Sequence, residues 1–175
     1  FKPDGDIESI VTQSLFADGS AAVIVGCEPR KDETPLFHLL DEKSYFIKDT
    51  MEDMTWDACD EGFDMKLSKR VPSLINEHIV SFSQQLLGSG IAVGQCEWAI
   101  HPGGRSIVEA IVKSLCLDRS QTISSWNVLG QYGNLSSATF LYVLENIWKR
   151  AISNKYVVGL GFGPGLSIEG LLLKC

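Results

Sequence analysis

The sequence predicts an α/β fold, a mixed sheet with helices on both faces, and three observations carry that expectation. Segments with apolar residues at helical spacing alternate with short apolar runs, and glycine or proline marks most of the junctions between them. Apolar residues make up 45% of the 175, enough for one substantial core.

Ile7, Ile10, Val11 and Leu15 share a spacing that predicts a helix over Ile7–Phe16, ended by Ala17-Asp18-Gly19. Ala21–Cys27 is a short all-apolar run that reads as a buried strand. Glu28–Thr34 is charged, carries Pro29 and reads as a linker. Pro35–Ile47 and Gly62–Leu67 read as extended segments flanking an acidic, Trp-bearing stretch, Lys48–Glu61. Val71–Leu87 reads as a helix, with Pro72 in its first turn and Gly88-Ser89-Gly90 as its stop. A strand at Glu97–His101 follows, then a helix at Ser106–Cys116, a shorter one near Ser125–Tyr132 and a long one over Leu135–Ile152. Tyr156–Leu160 and Leu166–Leu173 close the chain as two strands around a glycine loop.

Charge and composition narrow the function. A net charge of −7 and a pI near 4.9, with no basic patch or basic helix, argue against a nucleic-acid or anionic-membrane partner. No run approaches the roughly 18 apolar residues of a membrane span and no signal-peptide pattern opens the sequence, so a cytoplasmic location is expected. Phe1, rather than a methionine, stands directly before a polar loop, which suggests a natural N-terminus elsewhere. Cys27, Cys59, Cys96, Cys116 and Cys175 are an odd set without Cys-x-x-Cys spacing, so neither a disulfide framework nor a metal site is expected. Cys96 lies five residues before His101. Along a strand that offset puts the two side chains on opposite faces and roughly 16 Å apart, too far for an ion pair.

Two motifs carry the chemistry. His101 ends an apolar run just before Pro102-Gly103-Gly104, so it leaves a buried strand at its carboxyl end, where α/β proteins place their sites. Asn134, between Gly133 and Leu135-Ser136-Ser137, reads as the turn that opens a helix. Imidazole N–H and amide NH₂ are two uncharged donors able to converge on one carbonyl oxygen and stabilise the negative charge it acquires. The ordinary alternatives are a histidine bonded to backbone and an asparagine that only caps its helix. Gly159-Leu160-Gly161-Phe162-Gly163 is no dinucleotide fingerprint, because it sits between two strand-like runs and meets Pro164, whereas that fingerprint turns from strand to helix.

These motifs closely resemble those of the chalcone and stilbene synthases, the type III polyketide synthases, whose words are His-Pro-Gly-Gly, Gly-Asn-x-Ser-Ser and Gly-Phe-Gly-Pro-Gly. All three occur here in order, the last as Gly161-Phe162-Gly163-Pro164-Gly165, and Phe16-Ala17-Asp18-Gly19-Ser20-Ala21 resembles the family's Phe-Gly-Asp-Gly-Ala-Ala. The resemblance implies the second half of a thiolase-like layered α/β fold, with residues 1–27 the end of the first half, 28–34 a linker and 35–175 the C-terminal half. The Ala21–Cys27 strand would then lack its native sheet here. The resemblance further implies an acyltransferase that joins an acyl-coenzyme A starter to malonyl-coenzyme A by decarboxylative condensation, and a homodimer in which the whole enzyme pairs with a second copy of itself. It needs no cofactor beyond its coenzyme A thioester substrates.

In that family His101 and Asn134 would polarise the malonyl thioester carbonyl, and the nucleophilic cysteine lies upstream of these residues. Residues 1–175 alone are therefore expected to be inactive, with the N-terminal half as the required partner. Ser136, Phe162, Gly163 and Pro164 would line the pocket. Phe1 matches a phenylalanine between the coenzyme A tunnel and the cavity, Met65 falls at a second such phenylalanine, and Trp56 stands where plant enzymes have a cavity-lining glycine. Arg105, after Gly103 and Gly104 at a helix start, is a candidate for a coenzyme A phosphate, with a solvated surface arginine as the equal alternative. Two other readings stay open at this point: a ketoacyl synthase that starts fatty-acid synthesis, whose usual words near the histidine differ, and a non-catalytic half serving as a folding or dimerisation module.

Overall fold

The computed structural model describes residues 7–60, 62–151 and 154–175. Its elements run α1 (Ile7–Leu15), β1 (His38–Phe46), β2 (Met54–Cys59), β3 (Gly62–Leu67), α2 (Val71–Leu87), a short 3₁₀ turn (Val93–Gln95), β4 (Cys96–Ile100), α3 (Arg105–Ser114), α4 (Arg119–Tyr132), α5 (Ala138–Lys149), β5 (Tyr156–Gly163) and β6 (Ser167–Lys174). Four strands form a mixed sheet in the order β1-β6-β5-β4, with β4 and β5 parallel and the other two pairs antiparallel. β2 and β3 form a separate antiparallel hairpin.

Alternation along the strands divides the core between the two faces. Trp98 and Ile100 of β4, Val158 and Leu160 of β5, and Ile168 and Leu172 of β6 are buried with α2 and α3. Ala99, Val157 and Leu173 turn the other way, against Val128 of α4 and Val143 and Ile147 of α5. Each such side chain contributes roughly 1.5–3 kcal/mol by leaving water. Helices thus cover both faces, as the sequence predicts. Where helix and sheet come closest the residue is glycine: a Cβ on Gly170 would lie 2.6 Å from the Phe82 ring of α2, and one on Gly159 2.6 Å from Phe140 of α5.

β4 is a sheet edge, and two of its outward backbone groups bond to side chains of α4. Ile100 N–H donates to Ser125 Oγ (3.0 Å), and Gln121 Nε2 donates to the carbonyls of Cys96 (2.9 Å) and Val93 (3.1 Å). At the start of the strand the buried Glu97 carboxylate takes Arg150 Nη1 at 2.9 Å and Lys155 Nζ at 3.4 Å, tying the end of α5 to the sheet. Both ends of β4 are therefore fixed by bonds that reach across the sequence.

The structure corrects several expectations. The acidic stretch Lys48–Glu61 contains a strand, β2, because Met54–Cys59 pairs antiparallel with Gly62–Leu67. α4 begins at Arg119, well before Ser125, because the face it buries carries Thr122, Ser124 and Ser125 in place of apolar residues. α5 starts at Ala138 rather than Leu135, since Leu135–Ser137 form the turn before it, and it ends at Lys149. β5 runs on to Gly163, which shortens the glycine loop to a turn. Ala21–Cys27 forms no strand: it pairs with none of the described strands, and Val23, Ile24 and Val25 are 60%, 99% and 81% exposed. Among the described residues no helix is long and apolar enough to cross a membrane.

The tie between α4 and β4 is testable. Ser125→Ala leaves the buried Ile100 N–H without its acceptor and is expected to lower the unfolding free energy by about 1–3 kcal/mol in chemical denaturation. A loss below a few tenths would show that the edge does not depend on this bond.

Candidate functional site

The parallel pair β4–β5 ends by delivering His101. Its N–H donates to Leu160 O at 2.7 Å, carrying the ladder one residue past the strand. Gly103 then folds back under the ring, its N–H donating to His101 O (2.9 Å). A Cβ on Gly103 would lie 3.4 Å from His101 Cδ2 and 3.6 Å from Nε2, so the backbone there rests against the imidazole. Burial pushes the His101 pKa down to about 4. At neutral pH the ring is uncharged and offers one N–H donor rather than a positive charge.

Asn134 reaches the same place from the other side of the sequence. Gly133, at φ +74°, ends α4, and a Cβ there would meet Leu15 O at 2.9 Å. The backbone of Asn134 bridges to the end of α1 through its N–H to Leu15 O and Ala17 N–H to its own carbonyl, both 2.9 Å. Its side chain is only 3% exposed. Oδ1 accepts the Ser136 N–H (2.9 Å) and lies 3.3 Å from Thr139 Oγ1, while Nδ2 donates to Gly103 O (3.2 Å). An amide has two N–H donors, so this arrangement fixes the oxygen inward and leaves a second N–H for the cavity. Ser136 holds φ +56°, a left-handed conformation that costs a non-glycine residue about 1 kcal/mol and aims its N–H at Oδ1.

His101 and Asn134 line one cavity of about 420 Å³ at the carboxyl ends of β4 and β5. The structure brings Gly103, Ser136, Gly163, Pro164 and Phe162 to its wall, with Trp56 and Met65 entering from the β2–β3 hairpin. Those last two are cross-strand partners, and Trp56 meets Phe16 edge to face with ring centroids 5.9 Å apart. Arg105 and Gly104 do not line this cavity. Arg105 is exposed and its Nε donates to Glu109 Oε1 at 2.7 Å, one turn along α3. Phe1 lies outside the described residues.

The wall also holds Phe16, the first residue of the Phe16–Ala21 word, and four residues that no motif reveals: Met54, Leu67, Phe140 and Glu169. Met54 and Leu67 were readable, for Met54-x-Trp56 and Met65-x-Leu67 are the same alternating pattern on two paired strands. Phe140 carries no such signal, because it arrives through tertiary contacts. Glu169 brings a carboxylate to the wall, accepting a hydrogen bond from Ser44 Oγ. None of the five cysteines lines the cavity. Cys96 is buried with its thiol pushed up to about 11 by desolvation, which keeps it protonated and unreactive.

Comparison with known proteins bears directly on this site. Residues 39–175 match the family described as chalcone and stilbene synthases, C-terminal domain. The chain belongs to that family. As a chalcone and stilbene synthase C-terminal domain it is similar to probable polyketide synthase 1 of Dictyostelium discoideum, 38% identical over 174 residues that are 95% of this chain and 6% of that protein. Type III polyketide synthase A of Arabidopsis thaliana is 35% identical over 94% of this chain and 44% of its own length. The chain therefore spans less than half of either relative. The crystal structure of the C-terminal type III polyketide synthase domain of Steely1, a type I/III hybrid from Dictyostelium, has a TM-score of 0.90 and 38% identity, covering 98% of this chain and 49% of that one. The mixed α/β architecture is thus the thiolase-like fold of this family, with its cavity at the strand ends where the His-Pro-Gly-Gly and Gly-Asn-x-Ser-Ser words meet.

The neutral state of His101 has a measurable consequence. Its imidazole resonances are expected to stay constant as pH falls from 8 to about 5 and to move with a midpoint near 4. Because the folded value lies below the unfolded 6.5, the unfolded chain takes up this proton first, so His101 contributes to a loss of stability as pH falls from about 6.5 to about 4. A midpoint near 6.5 in the folded protein would show that the ring is solvated.

Proposed function

We propose that this chain is the C-terminal part of a type III polyketide synthase, an acyltransferase that condenses an acyl-coenzyme A starter with malonyl-coenzyme A. Residues 1–27 would end the N-terminal half, 28–34 would link the halves and 35–175 would form the C-terminal half. The observation that carries the reading is that a neutral, half-buried His101 and an oriented Asn134 amide line one cavity.

The chemistry follows from those two donors. The malonyl thioester carbonyl accepts from His101 and Asn134, and the bond to its terminal carboxylate breaks with loss of CO₂. The electron pair left behind passes into the carbonyl as an enolate, whose oxygen carries the charge that the donors stabilise. The enolate carbon then attacks the acyl group held as a thioester on a cysteine of the N-terminal half. A carbon–carbon bond forms and the cysteine thiolate leaves. Neutral donors suit this step because they bind the charged enolate better than the uncharged thioester, and only such a difference accelerates the reaction. The reading assigns the thiolate to the N-terminal half, and it is supported by the cavity wall, which includes none of the five cysteines.

In the full-length protein His101→Ala or Asn134→Ala is expected to reduce malonyl decarboxylation about 100-fold or more while leaving loading of the starter on the cysteine. Decarboxylation at the wild-type rate in both variants would overturn the assignment. Residues 1–175 alone should form no product with any starter.

Trp56 is expected to limit the acyl chain. Trp56→Gly removes an indole from the wall of a cavity of about 420 Å³ and should shift products toward longer starters or more extensions. An unchanged product profile in a folded variant would assign Trp56 to packing alone.

A further inference from the structure

Thr139 stands behind Asn134 without lining the cavity, and its hydroxyl has three polar partners. It is fully buried in the first turn of α5. Oγ1 accepts the Leu135 N–H at 2.7 Å, lies 2.7 Å from Ser136 O and reaches Asn134 Oδ1 at 3.3 Å. The Ser136 carbonyl also accepts the Thr139 N–H at 3.1 Å. One hydroxyl therefore holds three successive residues, Asn134, Leu135 and Ser136, to the start of one helix. The middle of that clamp is Ser136, whose left-handed conformation directs its N–H onto Oδ1.

We propose that Thr139 is a positioning residue that sets which way the Asn134 amide faces. The rigid turn keeps the Ser136 N–H on Oδ1, so the NH₂ group points toward Gly103 and the cavity. The single hydroxyl proton of Thr139 goes to Ser136 O, the closer acceptor at 2.7 Å, with Oδ1 3.3 Å away, and a lone pair takes the Leu135 N–H. Without the hydroxyl Leu135 N–H loses its acceptor and Ser136 loses part of what holds it at positive φ with its N–H on Oδ1. An amide free to turn presents its oxygen to the enolate for part of the time, replacing attraction by repulsion where charge develops. Valine has the shape of threonine and none of these bonds; serine retains them all.

This inference rests on the role proposed above for Asn134, and the experiment separates the two. In the full-length protein Thr139→Val is expected to lower kcat for malonyl-coenzyme A decarboxylation about 10- to 100-fold, the range typical of residues that orient a working ligand. KM and starter loading should change less than threefold, and Thr139→Ser should restore decarboxylation to within threefold of wild type. Added to Asn134→Ala, Thr139→Val should cost nothing further, because the group it orients is gone. A wild-type rate in Thr139→Val, failure of serine to rescue, or an equal loss in the Asn134→Ala background would each overturn the positioning role. A wild-type rate in Asn134→Ala would instead remove the reading on which it stands.

Discussion

The parallel pairing of β4 with β5 is the constraint on which the cavity depends. Parallel strands leave their carboxyl ends side by side, and the bond from His101 N–H to Leu160 O extends that register to the first residue with reactive chemistry. Because β4 is clamped at Glu97 and at Ile100, the imidazole is placed by the sheet rather than by a loop. Asn134 lacks such a strand and obtains its rigidity from a bridge to α1, a strained serine and the first turn of α5. The two donors thus reach one wall by different means, one by ladder geometry and the other by side-chain bonding.

Much of the fold was legible because its signals were local. α2 matches the expected Val71–Leu87 at both ends, since Pro72 and Gly88 are chemically suited to open and close a helix. β4 and β6 were visible as apolar runs. What escaped was coded by contacts distant in sequence. The first half of α4 shows little apolar period because it meets the edge of β4 with hydroxyls and an amide, and hydrogen bonding replaces the hydrophobic stripe. β2 was obscured by Asp57 and by the acidic residues that flank the strand. The apolar Ala21–Cys27 run has strand composition, but a strand exists only with a neighbour to complete its ladder.

The site was legible to a similar degree. His101, Asn134 and the glycine–proline turn were marked by their words, and the structure brings them to one cavity. The geometry that makes Asn134 a directed donor was not: nothing in Asn-Leu-Ser-Ser-Ala-Thr announces that Thr139 folds back on it. Arg105, chosen for its place at a helix start, stands exposed outside the cavity and pairs with Glu109 one turn along α3.

The helix cover on β4 has a consequence for association between molecules. With Ser125 and Gln121 occupying one edge of the sheet, a further strand can add only beside β1. That edge carries Asp41, Glu42 and Lys43, with a shift in register between Leu39 and Asp41, and charges and bulges of this kind make a poor template for another chain. Growth of the sheet into a cross-β aggregate is hindered on one side by the covering helix and its side-chain bonds to the edge, and discouraged on the other by charge.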